Sequence, residues 1–215
     1  MMMRIGVDSD GTLIDSKYRH YKLLEELVPT VRKSATRTLS YDHFIAYKEC
    51  GYSTLNYLDM LGIEDSLNIS NEWIKHIEDD IYLECDQLFP DAITFLDAMH
   101  RKSMLYLVTA RIRKETGLQE IHKLGIAKYF EEIIIVNPGK AAGVAKAERT
   151  RGLNLKVTIG DSEIDSIWAE LLGVRFFALN RGFRNKQWWE KRGIRSYNDL
   201  LAVQKDIEQC VSEGK

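Results

Sequence analysis

The chain has 215 residues, of which 45% are hydrophobic, and its formal net charge is −2. This composition suits one folded α/β domain with room for a small insert, and it excludes a largely disordered protein. A charge so close to zero does not favour a broad basic surface for nucleic acid. The apolar stretches are far shorter than the roughly 20 residues that span a membrane. The N-terminus has no secretory pattern, so we expect a cytoplasmic protein. The net charge and the short apolar stretches predict no nucleic-acid and no membrane partner.

Short apolar runs predict a parallel sheet. Runs that are continuous rather than alternating are typical of strands buried on both faces. Five of them occur, at residues 4–8, 104–109, 132–136, 156–160 and 174–179. Helical patterns alternate with the later strands, at residues 91–101, 113–124, 140–151 and 164–172. This alternation predicts a doubly wound α/β fold.

A helical segment interrupts this alternation directly after the first strand. Between residues 15 and 88 no strand pattern is convincing, whereas residues 20–27, 41–49, 54–61 and 71–84 have helical patterns. About 70 residues are too many for a loop. We therefore predict an all-helical domain of residues 16–88, inserted into a core of residues 1–15 and 89–215. That core would hold a five-stranded parallel sheet with helices on both faces.

Two carboxylates follow the first strand, in the segment Asp8-Ser9-Asp10-Gly11-Thr12. The carboxyl end of a strand in an open α/β sheet is where ligands bind. Buried carboxylates so close together require a metal ion or a shared proton. Gly11 and Thr12 allow a sharp turn and offer donors to an anion. The alternative is a strand that ends in a polar turn, with Asp8 as its cap.

A second acidic segment follows the strand at 156–160, where Asp161 comes after Gly160 and Asp165 lies four residues further on. Helix capping by Asp161 or Ser162, with Asp165 in the first turn, is the alternative. Capping does not explain why two strands both deliver acids to the same edge of the sheet. Three or more oxygens at that edge suit Mg²⁺, which prefers hard oxygen ligands.

Two further positions carry groups that suit a phosphate. Thr109 ends the strand at 104–109 and is followed by Ala110 and Arg111, whose guanidinium matches phosphate geometry. A surface charge at a helix start is an equally good interpretation of Arg111. Lys140 would open a helix, where a cation is unfavourable unless an anion is also bound. Lys146 is a rival for this role, but one to two turns into the helix we expect it to be solvated.

Taken together, these segments resemble the haloacid dehalogenase (HAD) superfamily, in particular its phosphatase branch. The resemblance covers residues 4–15 and 88–182 and implies a Rossmann-like core with a C1-type helical cap. Four motifs carry it: Asp8-Ser9-Asp10-Gly11-Thr12, Thr109, Lys140, and Gly160-Asp161-Ser162-Glu163-Ile164-Asp165. The departures are Ser9 between the aspartates, Ala110-Arg111 after Thr109, and Lys140 without a following proline.

The resemblance implies that Asp8 is the nucleophile, which becomes an aspartyl phosphate, and that Asp10 is the general acid and base. It implies a Mg²⁺ cofactor that is held by Asp8, the Asp10 carbonyl, Asp161 and Asp165. Lys140 would assist Asp8 as a catalytic residue and would also bind phosphate. The phosphate-binding set implied is Gly11, Thr12, Thr109, Ala110, Arg111 and Lys140.

The implied substrate is a small phosphorylated metabolite, such as a sugar phosphate, phosphoglycolate or a nucleotide. A phosphomutase, a non-catalytic Mg²⁺ or phosphate-binding regulator, and a receiver-like signalling domain are the alternatives. Monomer and dimer are both compatible with the sequence. We expect the cap to select the substrate through residues that face the core. The candidates are Lys17, Arg19, His20, Lys48 and the turn Gly51-Tyr52-Ser53.

Overall fold

A parallel sheet forms the centre of the molecule. The computed structural model describes residues 2–28 and 39–212. Six strands are hydrogen-bonded in the order β5-β4-β1-β6-β7-β8, and every neighbouring pair is parallel. The strands are β1 (Met3–Val7), β4 (Ser103–Ala110), β5 (Glu132–Val136), β6 (Val157–Gly160), β7 (Arg175–Leu179) and β8 (Ser196–Tyr197). The predicted α/β class and the five predicted strands are confirmed. The sixth, β8, was missed because two residues carry no periodic pattern.

Helices cover both faces of the sheet, as the alternation along β4 shows. Leu105 and Leu107 belong to one apolar cluster together with side chains of α6 and α11, such as Phe95. Tyr106 and Val108 point the other way, into a cluster with α8 and α9. The core helices are α6 (Ala92–His100), α7 (Lys114–Lys123), α8 (Ala142–Thr150), α9 (Glu163–Leu172), α10 (Lys186–Glu190) and α11 (Leu200–Ser212).

Most of the segment between the first two strands of the sheet is helical, as predicted, although the short strand Gln87–Leu88 was not expected. Its helices are α1 (Lys17–Leu27), α2 (Tyr41–Glu49), α3 (Thr54–Met60), α4 (Ser66–His76) and α5 (Asp80–Leu83). They share an apolar cluster of their own, which contains Leu24, Phe44 and Trp73. We call residues 16–88 the cap; these boundaries stay a prediction, and residues 29–38 lie outside the described ranges.

A short ribbon joins the cap to the core. The strands β2 (Ile14–Asp15) and β3 (Gln87–Leu88) pair antiparallel where the chain leaves the core and returns to it. The far end of α2 is held against the loop after β7, because Asn185 N–H donates to the Glu49 carbonyl at 3.1 Å. Glu78, between α4 and α5, accepts hydrogen bonds from the N–H groups of Ile112 and Arg113 at 2.9 and 2.7 Å. The cap is therefore bonded to the core at several points. No helix in the described ranges is long and apolar enough to cross a membrane.

Candidate active site

The carboxyl edge of the sheet collects the acidic residues from separate segments. Asp8 follows β1, and Asp161 follows β6, its neighbour in the sheet. Asp165 lies in the first turn of α9. The three carboxylates are buried, and each offers one oxygen within 4.8 Å of the oxygens of the other two. The prediction that two strands deliver acids to one place is confirmed, because parallel strands end at the same edge.

One buried ammonium balances part of this charge. Lys146 Nζ lies 2.7 Å from Asp8 Oδ1 and 2.7 Å from Asp165 Oδ1, and the lysine is only 2% exposed. Three carboxylates and one ammonium give a local charge of −2 when all four groups are ionised. A divalent cation balances that charge.

Burial and the neighbouring charges shift the pKa values of Asp8, Asp161 and Lys146. Burial, and then repulsion from Asp165, raise the pKa of Asp8 well above its usual range, although Lys146 opposes the change. Burial raises the pKa of Asp161 to about 7, and Asp165 adds to the effect. Burial by itself would lower the pKa of Lys146, but Asp165 and Asp8 outweigh it, and the net shift is upward. The lysine therefore stays charged at neutral pH, and Asp8 depends on nearby positive charge to ionise.

The structure corrects the choice of lysine. Lys140, favoured from the sequence, is exposed in a turn that precedes α8. The expectation that Lys146 is solvated is wrong. The first turn of α8 begins at Ala142, two residues later than predicted, and Lys146 lies on the buried face of this helix. A stripe of small residues on that face could have revealed it, since these residues let α8 pack closely: Ala142, Gly143, Ala147 and Thr150.

Asp165 serves the helix and the site at once. Its Oδ2 accepts hydrogen bonds from Ser162 N–H at 3.2 Å and from Ser162 Oγ at 2.7 Å, which closes a capping box at the start of α9. Its Oδ1 accepts the bond from Lys146. The capping interpretation is therefore correct for Asp165, and the same side chain orients the buried lysine. Direct metal binding by Asp165 stays a prediction.

Two arginines hold the second aspartate of the first motif. Arg111 Nη2 lies 2.7 Å from Asp10 Oδ1, and Arg19 Nη2 lies 3.0 Å from Asp10 Oδ2. Burial would raise the pKa of Asp10, but Arg111 and Arg19 outweigh it and lower it. Arg111 is buried, so its interpretation as a surface charge is wrong. Arg19 comes from α1 of the cap, so the cap contributes directly to the setting of Asp10.

Further acids surround these arginines. Glu120 of α7 lies 2.8 Å from Arg111 Nη2, and Asp86, just before β3, lies 3.1 Å from Arg19 Nη1. Burial raises the pKa of Asp86 to about 9, although Arg19 opposes the change. Asp86 therefore keeps its proton to a higher pH than an exposed aspartate does. Sequence analysis missed Glu120 and Asp86, because neither belongs to a motif or to a strand end.

Two residues of the predicted phosphate-binding set, Thr109 and Thr12, have buried hydroxyl groups. Ser9 Oγ donates to Thr109 Oγ1 at 2.7 Å, which leaves the hydroxyl hydrogen of Thr109 free for another acceptor. Thr12 Oγ1 is buried without a hydrogen-bond partner among the described residues. Ala110 ends β4 at the same edge. Thr109 and Thr12 therefore each have a hydroxyl group that can donate to a ligand, and their binding of phosphate stays a prediction.

Two glycines leave space around Asp161. A Cβ at Gly11 would lie 2.2 Å from Asp161 Oδ2, and a Cβ at Gly182 would lie 1.8 Å from the same atom. The N–H of Phe183, next along the chain, donates to this oxygen at 3.0 Å. The segment after β7 therefore forms one wall of the site. No sequence motif marks this segment, because its contribution is a backbone group and an absent side chain.

Two of the predicted cap contacts, Lys17 and His20, already have neighbours: one an acidic side chain, the other two aromatic rings. Lys17 pairs with Glu49 at 2.7 Å. His20 packs between Trp73 and Phe183, with ring centroids 5.0 and 4.6 Å away.

The turn Gly51-Tyr52-Ser53 approaches the core at its first residue. A Cβ at Gly51 would lie 2.4 Å from Trp188 Nε1. Tyr52 stacks on Tyr47 and is 50% exposed, while Ser53 caps α3.

A comparison with protein families decides the classification. The model of the haloacid dehalogenase-like hydrolases matches residues 7–179, which includes Asp8 at one end and both Asp161 and Asp165. The chain belongs to this family. A HAD hydrolase of this kind is what the first and fourth motifs predicted. No curated protein matches the chain at a significant level.

Solved structures share the HAD fold over nearly the whole chain. A haloacid dehalogenase-like hydrolase from Streptococcus pneumoniae has 19% identity and a TM-score of 0.72, and the match covers 96% of this chain and 98% of the other. A predicted phosphatase from Clostridium acetobutylicum has 16% identity and a TM-score of 0.73, over 97% and 99%. A predicted phosphoglycolate phosphatase from Haemophilus somnus has 17% identity and a TM-score of 0.70, over 96% and 98%. At these identities the likeness establishes the fold.

Proposed function

We propose that this HAD hydrolase is a Mg²⁺-dependent phosphatase that cleaves a small phosphomonoester through an aspartyl phosphate on Asp8. The contact that carries the proposal is the 2.7 Å pair between Lys146 Nζ and Asp8 Oδ1 inside a cluster of three buried carboxylates. A buried carboxylate that is kept next to a lysine and a metal-binding group is suited to attack an anionic phosphate. Two of the similar structures carry the name phosphatase, which supports the same reaction class.

The residues fit a magnesium ion. Asp8 Oδ2 and Asp161 Oδ1 accept none of the hydrogen bonds found among the described side chains, so both oxygens are available to a cation. Both oxygens of Asp165 already accept hydrogen bonds, so Asp165 supports the ion mainly through charge. When bound, Mg²⁺ would screen the repulsion between Asp8 and the phosphate and stabilise charge in the transition state.

The first step that we propose uses Asp8 as nucleophile. A carboxylate oxygen of Asp8 forms a bond to phosphorus while the bond to the ester oxygen breaks. Protonated Asp10 gives its proton to the leaving alkoxide, which departs as the alcohol, and Asp10 is left ionised for the second step. Lys146 keeps Asp8 ionised for this attack. The hydroxyl groups of Thr109 and Thr12 donate to the phosphoryl oxygens.

The second step regenerates the enzyme. Water attacks phosphorus, the bond between phosphorus and Asp8 breaks, and inorganic phosphate leaves. Asp10 accepts the proton of the attacking water. The contacts with Arg19 and Arg111 favour the ionised form of Asp10, which is the form that this step requires. The structure thus supports the basic role of Asp10 more directly than its acidic role.

The test is release of inorganic phosphate from p-nitrophenyl phosphate and from a panel of small phosphomonoesters. Turnover should require Mg²⁺ and stop with EDTA, and Asp8→Asn should reduce kcat by about 10³-fold or more. The control is Asp97→Asn, an exposed aspartate on α6 that should keep wild-type turnover. Turnover that survives in Asp8→Asn would refute the nucleophile assignment. Transfer of phosphate within the substrate, without release, would indicate a phosphomutase.

A further inference from the structure

Lys48 occupies an unusual place in the cap. It is half-buried in the last turn of α2, and its Nζ lies 5.8, 5.3 and 5.0 Å from the ring centres of Phe44, Trp73 and Phe183. Among the described residues, the only hydrogen bond that its Nζ donates goes to Thr54 Oγ1, at 3.3 Å. Aromatic faces attract a cation, but they do not replace a counter-ion.

The neighbouring cations all have carboxylate partners. Arg184 pairs with Glu163 at 2.7 Å, and Lys17 and Arg19 are paired as described above. Within the described part of the chain, Lys48 forms no salt bridge. Burial, and then the charge of Arg184, lower the pKa of Lys48 to about 8. An ammonium in such surroundings costs stability, which is typical of groups kept for function rather than for folding.

Two aromatic neighbours connect Lys48 to the site. Phe183, whose ring faces the Lys48 ammonium, donates its N–H to Asp161. On the other side, His20 packs on Phe183 and lies close enough to Lys48, Arg19 and Arg111 for all three to act on its charge. Lys48 is thus connected to the metal-binding candidate Asp161 through Phe183, and to the arginines that hold Asp10 through His20.

Glu163 is the one acidic side chain among the described residues with a resolved effect on the charge of Lys48, and it already pairs with Arg184 at 2.7 Å. Burial, and then repulsion from Arg19 and Lys48, lower the pKa of His20 well below its usual range, so His20 is neutral. Its Nδ1 is buried without a partner among the described residues and is available to a ligand as a hydrogen-bonding atom. Lys48 and its neighbours therefore bring together one cation without a salt bridge, one neutral imidazole and three aromatic rings.

We propose that Lys48 binds a second negatively charged group, a carboxylate or a further phosphate, on the leaving part of the substrate. This inference rests on the proposed phosphatase function and names its substrate class. The phosphate to be cleaved lies with Asp8 and Lys146, so the second anion is the partner that Lys48 lacks. The aromatic rings exclude water and strengthen the contact between the ammonium and the anion.

The test compares phosphomonoesters that differ only in the far charge. Three compounds of equal chain length are needed: an ω-carboxyalkyl phosphate, its carboxamide, and the alkanediol bisphosphate. Each is assayed for kcat and KM with the wild type, Lys48→Met and Lys48→Arg. Lys75→Met is the matched control, because Lys75 is a cap lysine whose side chain is 63% exposed.

The wild type should prefer at least one of the charged esters over the carboxamide by about 10- to 100-fold in kcat/KM, the usual strength of a charge-assisted hydrogen bond. Lys48→Met should lose this preference mainly through KM, Lys48→Arg should keep most of it, and Lys75→Met should keep all of it. The charged ester with the higher kcat/KM identifies the second anion as a carboxylate or a phosphate.

Two results would overturn the inference, and they are distinguishable. Hydrolysis of all esters without a preference for the charged ones, or a preference that Lys48→Met retains in folded protein, refutes the role of Lys48 and leaves the phosphatase proposal standing. Absence of phosphate release from every ester, including p-nitrophenyl phosphate, refutes the phosphatase proposal and this inference with it.

Discussion

Replacing Lys146 by methionine tests the centre of the proposed mechanism. Methionine keeps most of the side-chain volume in the buried face of α8 but removes the ammonium. The change deletes two bonds of 2.7 Å, to Asp8 and to Asp165, and leaves three buried carboxylates within 4.8 Å of one another without their cation.

The structure gives the size of the effect. Breaking a buried ion pair by removing one partner costs about 3–5 kcal/mol, because the other charge stays buried. The pKa of Asp8 is already raised by burial and by Asp165, and without Lys146 it rises further. A smaller fraction of the nucleophile is then ionised at neutral pH. We expect kcat to fall by about 10²- to 10³-fold.

The assays are urea denaturation, followed by circular dichroism, and release of phosphate in the presence of Mg²⁺. Lys140→Met is the matched control, since Lys140 is exposed and should change neither stability nor turnover measurably. A fall in activity with Lys140→Met and none with Lys146→Met would refute our assignment of the lysine. Wild-type stability in Lys146→Met would show that the carboxylates do not depend on this cation.

Three further predictions concern the surroundings of the site. Gly182→Ala places a Cβ 1.8 Å from Asp161 Oδ2, so we expect Mg²⁺ affinity, measured by calorimetry, to fall about tenfold or more. Gly152→Ala is the control, because its Cβ would meet nothing within 4 Å; its stability should be unchanged or higher by less than about 1 kcal/mol. Equal Mg²⁺ affinities in Gly182→Ala and Gly152→Ala would contradict the steric argument. Asp86 has a folded pKa of about 9 against 3.8 unfolded, so folded protein holds the extra proton, and wild-type stability should fall as pH rises between these values. Asp86→Asn should remove that slope in urea denaturation at pH 5, 7 and 8.5, and an unchanged slope would exclude Asp86 as its source. Lys48→Met should be more stable than wild type by about 1 kcal/mol at pH 7. The pKa of Lys48 is about 8 in the folded protein against 10.5 in the unfolded chain, so the wild type gains stability as pH rises between these values. The stability advantage of Lys48→Met should therefore shrink towards pH 10. An advantage that stays constant with pH would show that the charge of Lys48 is not its cause.

The sequence determined the architecture and the acidic part of the site. Continuous apolar runs predicted strands buried on both faces, and β6 is buried throughout. Because the ends of parallel strands meet at one edge, the positions of Asp8 and Asp161 after β1 and β6 were enough to bring them together. The helical insert followed from its length and its spacing of apolar residues. These conclusions depend on local pattern and on general rules of chain topology.

The tertiary structure decided which other side chains complete the site. Lys140 and Lys146 lie in one short stretch of sequence, and only the start and rotation of α8 place Lys146 against Asp8 while Lys140 faces solvent. Arg19 reaches Asp10 because the cap folds back onto the core. The unpaired charge of Lys48 likewise depends on which carboxylates neighbouring cations have already taken. These ion pairs join segments that are distant in sequence and that only tertiary packing brings together. The spacing of motifs along the chain therefore does not predict them.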